Sequence, residues 1–168
     1  MPLGTDYAAQ NCPIARSLEI VGERWTLLIV RDLFHGLRRY SDLRKHIGLP
    51  PAVLTARLSR LVDEGVIIRV AGRGARDEYE LTPKGTKLWP VLSGLIQWGN
   101  DNYVAPGSRI LITHQQCGSL LDKAGHCVLC GVTPAAEDVV VRRQTSTAAD
   151  PISHAVSEPH RLLLPLRI

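Results

Sequence analysis

The sequence predicts a mostly α fold with one small β-hairpin. Three observations carry that expectation. Glycines at 22, 36, 48 and 65 each close an apolar segment of helical period. "VIIRV" and "EYELT" read as strands on either side of a glycine-rich turn, "AGRGARD". Thr82 and Pro83 then offer an N-cap and a first-turn residue ahead of another apolar helix.

Taken in order, the first helix opens after Cys12 with Pro13 at its first position and carries Ile14, Leu18 and Val21 on one face. The second runs from about Arg24 to Phe34, with Trp25, Leu28, Ile29 and Leu33 on one side and Arg31 and Asp32 at its flank. A brief third takes Ser41 as N-cap and turns Leu43 and Ile47 inward before Gly48. Arg44 stands where a capping box would place Glu, so that signal is partial. Leu49 precedes a proline and avoids the helical region, so "GLP" breaks the chain before Pro51 starts the fourth helix.

In that fourth helix Leu54, Leu58, Leu61 and Val62 form the buried stripe. Ala52, Thr55, Ala56, Arg57, Ser59 and Arg60 are left on or near the open face. Asp63 and Glu64 fall near the negative end of the helix dipole, an unfavourable place for acids, with Arg69 as a candidate partner. In the hairpin Tyr79 and Leu81 face inward. The last helix is expected to reach about Tyr103, kinked at Pro90, with Leu88, Val91, Leu92, Leu95, Trp98 and Gly99 along one side.

A chain of 168 residues that is 45% hydrophobic can bury a core as one domain, or as one domain with a small appendage, which excludes disorder throughout. No apolar run approaches the roughly 18 residues of a spanning helix. "MPLGTDYAAQNC" has neither the basic start nor the apolar centre of a signal peptide, so a cytoplasmic protein without membrane contact is expected. In that reducing compartment four cysteines read as metal ligands, redox sensors or core residues before they read as disulfides. An enzyme is not expected: no nucleophile with a base, no acid pair and no phosphate-binding glycine loop stands at useful spacing, and "GRGARD" lacks the G-x-x-x-x-G-K pattern.

The net charge of +4 decides little, but its distribution does. Residues 38–76 hold nine Lys and Arg against three acids, a formal +6. Helix, helix, helix, break, helix and basic hairpin is the order of a winged helix-turn-helix, which lays its second helix in the major groove of duplex DNA. A helix that enters the groove needs small residues for close approach and hydroxyl or guanidinium groups for base edges and phosphates. Thr55, Arg57, Ser59 and Arg60 are the expected groove-facing residues, and Ser41 and Pro51 join the candidate set. Arg73 and Arg76 on the wing and Arg38 and Arg39 before the third helix are the expected backbone contacts. The competing readings are a solvated basic helix with no ligand, a winged-helix module that binds another protein through its basic face or its cysteine-rich tail, and a metal- or redox-responsive switch in which that tail controls the DNA-binding domain.

Beyond "APGSR" the composition changes. His114, Cys117, Cys127 and Cys130 spell H-x2-C followed by C-x2-C, each pair ending in Cys-Gly. Zinc favours four thiolate or imidazole ligands in a tetrahedron, and a two-residue gap lets one tight turn aim two of them at the metal. The nine residues between the pairs are fewer than in most zinc ribbons, and His126 competes as a ligand. Structural zinc in this appendage, with no cofactor in the core domain, is therefore the expectation, and free or oxidisable thiols are the alternative. Cys12 precedes a helix start, where the positive end of the dipole favours a reactive thiolate, although the same residue could simply pack.

The stretch "CPIARSLEIVGERWTLLIVRDLFHGLRRYSDLRKHIGLPPAVLTARLSRLVDEGVI", with "YELTPKGTKLWPVLSGLIQWG", resembles the HxlR-type winged-helix regulators of bacteria, which are MarR-like, over about residues 10–103. The resemblance implies a homodimeric transcriptional regulator, a repressor before an activator, that dimerises through its terminal helices. The first helix and the helix carrying Leu88, Val91, Leu92, Leu95 and Trp98 would form the dimer surface. Two related recognition helices would then read a pseudo-palindromic operator in successive major grooves. Some members of the family sense oxidants or electrophiles with a cysteine at the position of Cys12, which adds an oxidant or small-molecule effector to the expected partners. The expected domains are a DNA-binding and dimerisation domain at 10–104, a cysteine-rich appendage at 105–144 and a tail at 145–168 that is flexible unless its leucines dock.

Overall fold

The structure, a computed structural model, describes residues 7, 10–72, 77–105, 107–144, 159–166 and 168. Its elements run α1 (Pro13–Val21), α2 (Thr26–Phe34), α3 (Tyr40–Ile47), α4 (Pro51–Asp63), β1 (Ile67–Ala71), β2 (Asp77–Leu81), α5 (Pro83–Thr86) and α6 (Trp89–Asn102). Then follow β3 (Ile110–His114), a single 3-10 turn at Ala136–Asp138, β4 (Val139–Arg143) and β5 (His160–Arg161). This is the winged helix-turn-helix that the residue pattern predicts, with a second, three-stranded antiparallel sheet in the order β3-β4-β5 that the pattern did not reveal. Among the described residues no helix is long and apolar enough to cross a membrane.

Pro13 and Pro51 open α1 and α4 as expected, because a first-turn proline lacks only an N–H that the helix does not use. Several local expectations need correction. α2 begins at Thr26, with Trp25 at its N-cap position. Arg39, not Ser41, is the N-cap residue of α3; Ser41 lies one residue inside the helix and donates to the Asp42 carboxylate at 3.1 Å. β1 and β2 each sit within one residue of the expected strands, paired Ile67 to Leu81 and Ala71 to Asp77. The long helix after the wing is broken rather than kinked. Thr82 caps α5 by accepting from the Gly85 amide, and the chain turns at Lys87 and Leu88 before Pro90, in the first turn of α6, restarts it.

Asp32 departs furthest from its expected place. It was placed at the flank of α2, yet its side chain has no exposed surface. Arg31 pairs with it at 2.7 Å, and His46 Nδ1 of α3 lies 2.6 Å from its other oxygen. Around this pair of helices one continuous core forms, from Ile29, Phe34, Leu43, Leu54, Leu58 and Leu61 in the head to Ile112, Val139 and Val141 in the second sheet. Phe34 and Trp89 meet with ring centroids 5.5 Å apart and join α2 to α6. Asn100 of α6 anchors β3, donating to the Ile110 carbonyl at 2.9 Å and accepting from its amide at 3.2 Å.

At the end of the chain, within the described residues, leucines do dock. Residues 145–158 lie outside the described residues, but β5 pairs with β4, Leu162 is buried, and Leu163 and Leu166 donate their amides to Phe34 and Gly36 at the end of α2. His160 sits beside His35 there, with Nε2 2.9 Å from the His35 carbonyl. His35 is buried with Nδ1 unpartnered, and desolvation, with the Arg31 charge adding to it, lowers its pKa from 6.5 to about 4. A histidine held neutral by burial stabilises the fold fully above its unfolded value, and the contribution is lost as pH falls from about 6.5 towards about 4, where only the unfolded chain takes up the proton. The melting temperature of the intact protein should therefore drop between pH 7 and pH 5 more steeply than that of His35→Gln; parallel curves for the two proteins would rule His35 out as the cause.

Candidate nucleic-acid interface and metal centre

α4 presents Ala52, Thr55, Ala56 and Arg60 exposed, with Arg57 and Ser59 half-buried beside them. The Tyr40 hydroxyl of α3 donates to the Pro51 carbonyl at 3.0 Å and lies 3.4 Å from the Thr55 hydroxyl, so α3 fixes the angle at which α4 leaves the turn. Arg57 is paired with Glu23 at 2.9 Å, and Arg60 with Glu64, one turn ahead, at 2.9 Å. The second pair explains an acid at the unfavourable end of α4: Glu64 is held by Arg60 and not by Arg69, whose guanidinium lies 5.8 Å from the centre of the Tyr79 ring. Ser41 is exposed on α3 beside exposed Arg44 and Lys45. The wing residues Arg73 and Arg76 lie outside the described residues.

Arg38 and Arg39 have a different local setting from the one expected. Arg38 forms an ion pair with Glu80 of β2 and also donates to the Leu163 carbonyl at 3.1 Å. Arg39 pairs with Glu78 at 3.2 Å, and the Tyr79 amide donates to the Arg38 carbonyl at 2.8 Å. These arginines dock the wing strand onto the segment that leads into α3. The alternation Glu78-Tyr79-Glu80, with the aromatic ring inward and both acids on the other face, is the sequence feature that could have announced it. Sequence reasoning also missed Glu23 and Glu64 as the partners of Arg57 and Arg60.

The apolar stripe of α6 divides. Leu92 is buried and Leu88 packs against the core, whereas Val91, Leu95 and Trp98 are exposed, Trp98 at 57%. Ile14 and Leu18 of α1 and Tyr103 are exposed as well, and Trp98 and Tyr103 stack edge to face at 5.0 Å. Cys12 is half-buried at the N-cap position of α1, with no side-chain capping bond.

The four residues picked out by spacing in the appendage do converge. One ligand atom from each of His114, Cys117, Cys127 and Cys130 lies within 4.8 Å of every other. Cys117 Sγ is 3.5 Å from both His114 Nδ1 and Cys127 Sγ. Zinc–sulfur bonds near 2.3 Å in a tetrahedron put sulfurs about 3.8 Å apart, so the cluster is the right size for that ion. Its two halves share one backbone design. Gly118 and Gly131 donate to the His114 and Cys127 carbonyls at 2.8 Å, and the His114 and Cys127 amides donate to Ser119 and Val132 at 2.9 and 2.7 Å. Both glycines have φ near +70°, which lets each turn close behind its second ligand. Hydrogen bonds from Ser119 and then the neighbouring thiols lower the Cys117 pKa, while Cys117 and burial raise that of Cys130. His126 is not among the four; its Nδ1 lies 3.4 Å from the Thr133 hydroxyl. No carboxylate enters the set, which is the soft, nitrogen-and-sulfur chemistry zinc prefers.

Comparison with known proteins places this architecture among regulators. The HxlR-like helix-turn-helix family matches residues 20–106. The HTH-type transcriptional regulator Rv3095 of Mycobacterium tuberculosis is 40% identical over 135 residues, which cover 79% of this chain and 82% of the relative. The crystal structure of the transcription factor PA1607 is similar with a TM-score of 0.63 at 37% identity, covering 83% of this chain and 96% of that one. These two matches are too long to end with the family region and run into the cysteine-rich appendage. The redox regulator HypR in its oxidised form is similar over 56% of this chain and 100% of that one, with 25% identity and a TM-score of 0.52.

Proposed function

This chain belongs to the HxlR-like helix-turn-helix family of DNA-binding transcriptional regulators, which are not enzymes, and on that premise we propose that it acts as a homodimeric repressor. The observation that carries the reading is α4, whose open face of small, hydroxylated and cationic side chains carries no unpaired acid among its groove-facing positions. Thr55, Arg57, Ser59 and Arg60 face the major groove; Arg73 and Arg76 of the wing, with Ser41 at the start of α3 and Pro51 at the start of α4, approach the backbone. Arg38 and Arg39 act one step behind, by holding the wing strand. Occupancy of an operator is enough to block transcription, so repression asks nothing of the protein beyond this interface. Such a protein works in the cytoplasm, where its DNA is.

Val91, Leu95 and Trp98, with Ile14 and Leu18, form the dimer surface, since a monomer has little reason to expose so many large apolar groups. A C2 dimer presents two α4 helices about 34–36 Å apart and so reads a pseudo-palindrome. Cys12, half-buried at the head of α1, is the candidate oxidant sensor, a role in keeping with the similarity to a protein named as a redox regulator. The appendage holds a structural zinc ion on His114, Cys117, Cys127 and Cys130, supported by the matched backbone turns and the spacing of the ligand atoms.

Three outcomes follow. In fluorescence anisotropy with duplex from the protein's own upstream region and with a scrambled duplex, Arg60→Ala should cut the preference for the native duplex by about tenfold, and an unchanged preference would take Arg60 out of the interface. Trp98→Asp should sediment as a folded monomer where the parent sediments as a dimer; a variant that stays dimeric would move the interface elsewhere. Protein purified without chelator should carry about one zinc per chain and Cys127→Ser far less, whereas metal-free parent protein with native spectra would refute a structural zinc.

A further inference from the structure

Three features outside the DNA-facing elements converge on the short segment 159–166. At one end β5 pairs with β4, and Leu162 donates its amide to the Val139 carbonyl at 3.0 Å. The chain then crosses the end of α2 as a strap: Leu163 donates to the Phe34 carbonyl at 2.7 Å and Leu166 to the Gly36 carbonyl at 2.9 Å. Gly36 is shaped for this crossing, because a Cβ there would lie 1.7 Å from the Leu164 carbonyl oxygen, at a φ of +83°. The Arg38 guanidinium closes the arrangement by binding the Leu163 carbonyl of the strap and the Glu80 carboxylate of the wing strand together.

The same strap is tied to the four-ligand cluster by a short path. His114 is paired with Val139 across the β3-β4 ladder, Val139 accepts from Leu162, and the next residue, Leu163, donates to Phe34. We propose that the metal centre operates this strap as a brace on the DNA-binding head. Zinc on His114, Cys117, Cys127 and Cys130 cross-links the turns 114–118 and 127–131 and fixes the β3-β4 end of the sheet. The fixed sheet seats residues 162–166 on 34–38, and Arg38 transmits the seat to Glu80 and the wing. Removal of the ion leaves three sulfurs and an imidazole gathered with no cation between them, so the turns separate, the strap loosens and the wing loses one of its two arginine anchors. A ligand that binds only the native arrangement stabilises it according to its free concentration, so the seating of the strap becomes a function of available zinc. This inference rests on the zinc reading given above.

The test uses the full-length protein, zinc-loaded and after removal of zinc by a chelator, with zinc content measured directly. The readout is amide hydrogen exchange at Leu163, Leu166 and Tyr79, the last being the wing amide bonded to the Arg38 carbonyl. Zinc removal should speed exchange at all three by about tenfold or more while the α4 amides change little, and operator affinity should fall several-fold. Leu166→Pro lacks the amide that binds Gly36, and Gly36→Ala expels the Leu164 carbonyl; zinc-loaded Leu166→Pro should therefore keep its metal yet show the same loss of affinity. Protein that binds one zinc but exchanges these amides equally fast with and without it would overturn the brace and leave the zinc site standing. Protein that takes up no zinc would instead remove the zinc reading, and the brace with it. Should zinc removal unfold the whole chain, α4 included, Leu166→Pro decides: unchanged operator affinity in its zinc-loaded form contradicts the coupling.

Discussion

Asp32 is a carboxylate with no exposed surface, inside the helical pair that orients the recognition helix. A carboxylate buried in this way is tolerated only while its ion-pair and hydrogen-bond partners stay in place, and loss of one partner from a buried ion pair costs about 3–5 kcal/mol. Its partners are Arg31 on the same helix and His46 on α3, so α2 and α3 can pack at one angle and one register without stranding the charge. α3 in turn hands that geometry to α4 through the Tyr40 hydroxyl and the Pro51 carbonyl. The presentation of Thr55 and Arg60 to solvent is thus fixed two helices away, by an electrostatic requirement that apolar packing alone would not impose.

A second layer of constraint converges on residues 34–39. The carbonyls of Phe34 and Gly36 accept the strap, and the side chains of Arg38 and Arg39 take the acids of the wing strand. This short connection between α2 and α3 is therefore where the head, the wing and the second sheet meet. The arrangement uses arginine as a joint: each guanidinium offers several donors in a plane, so that of Arg38 can hold a carboxylate and a carbonyl together. Part of the basic stretch at 38–76 thus also serves as internal scaffolding, while Arg44, Lys45 and Arg60 stay exposed on α3 and α4.

What could be read from the sequence divides along physical lines. Helix order, the break at "GLP" and the hairpin were legible because each rests on neighbours in the chain: proline at a first turn, glycine after a last turn, apolar residues three and four apart. The convergence of His114, Cys117, Cys127 and Cys130 was legible for the same reason, since each pair is built within one tight turn. Asp32 was misplaced because a flank position on a helical wheel does not say whether a second helix will cover it. Arg38 to Glu80 and the strap on Phe34 and Gly36 join residues 42 and more apart, and only a closed fold brings them together. The break before α6 was read as a kink because Pro90 alone does not say whether a proline interrupts a helix or begins one.

The measurement that bears most directly on a homodimer reading DNA through paired α4 helices is hydroxyl-radical footprinting of the protein on duplex from its own upstream region. The account predicts two protected patches related by a pseudo-palindrome and centred about 10 base pairs, or a multiple of one helical turn, apart. Protection of a single patch, or even protection along the duplex that follows total charge and vanishes with salt, would contradict it.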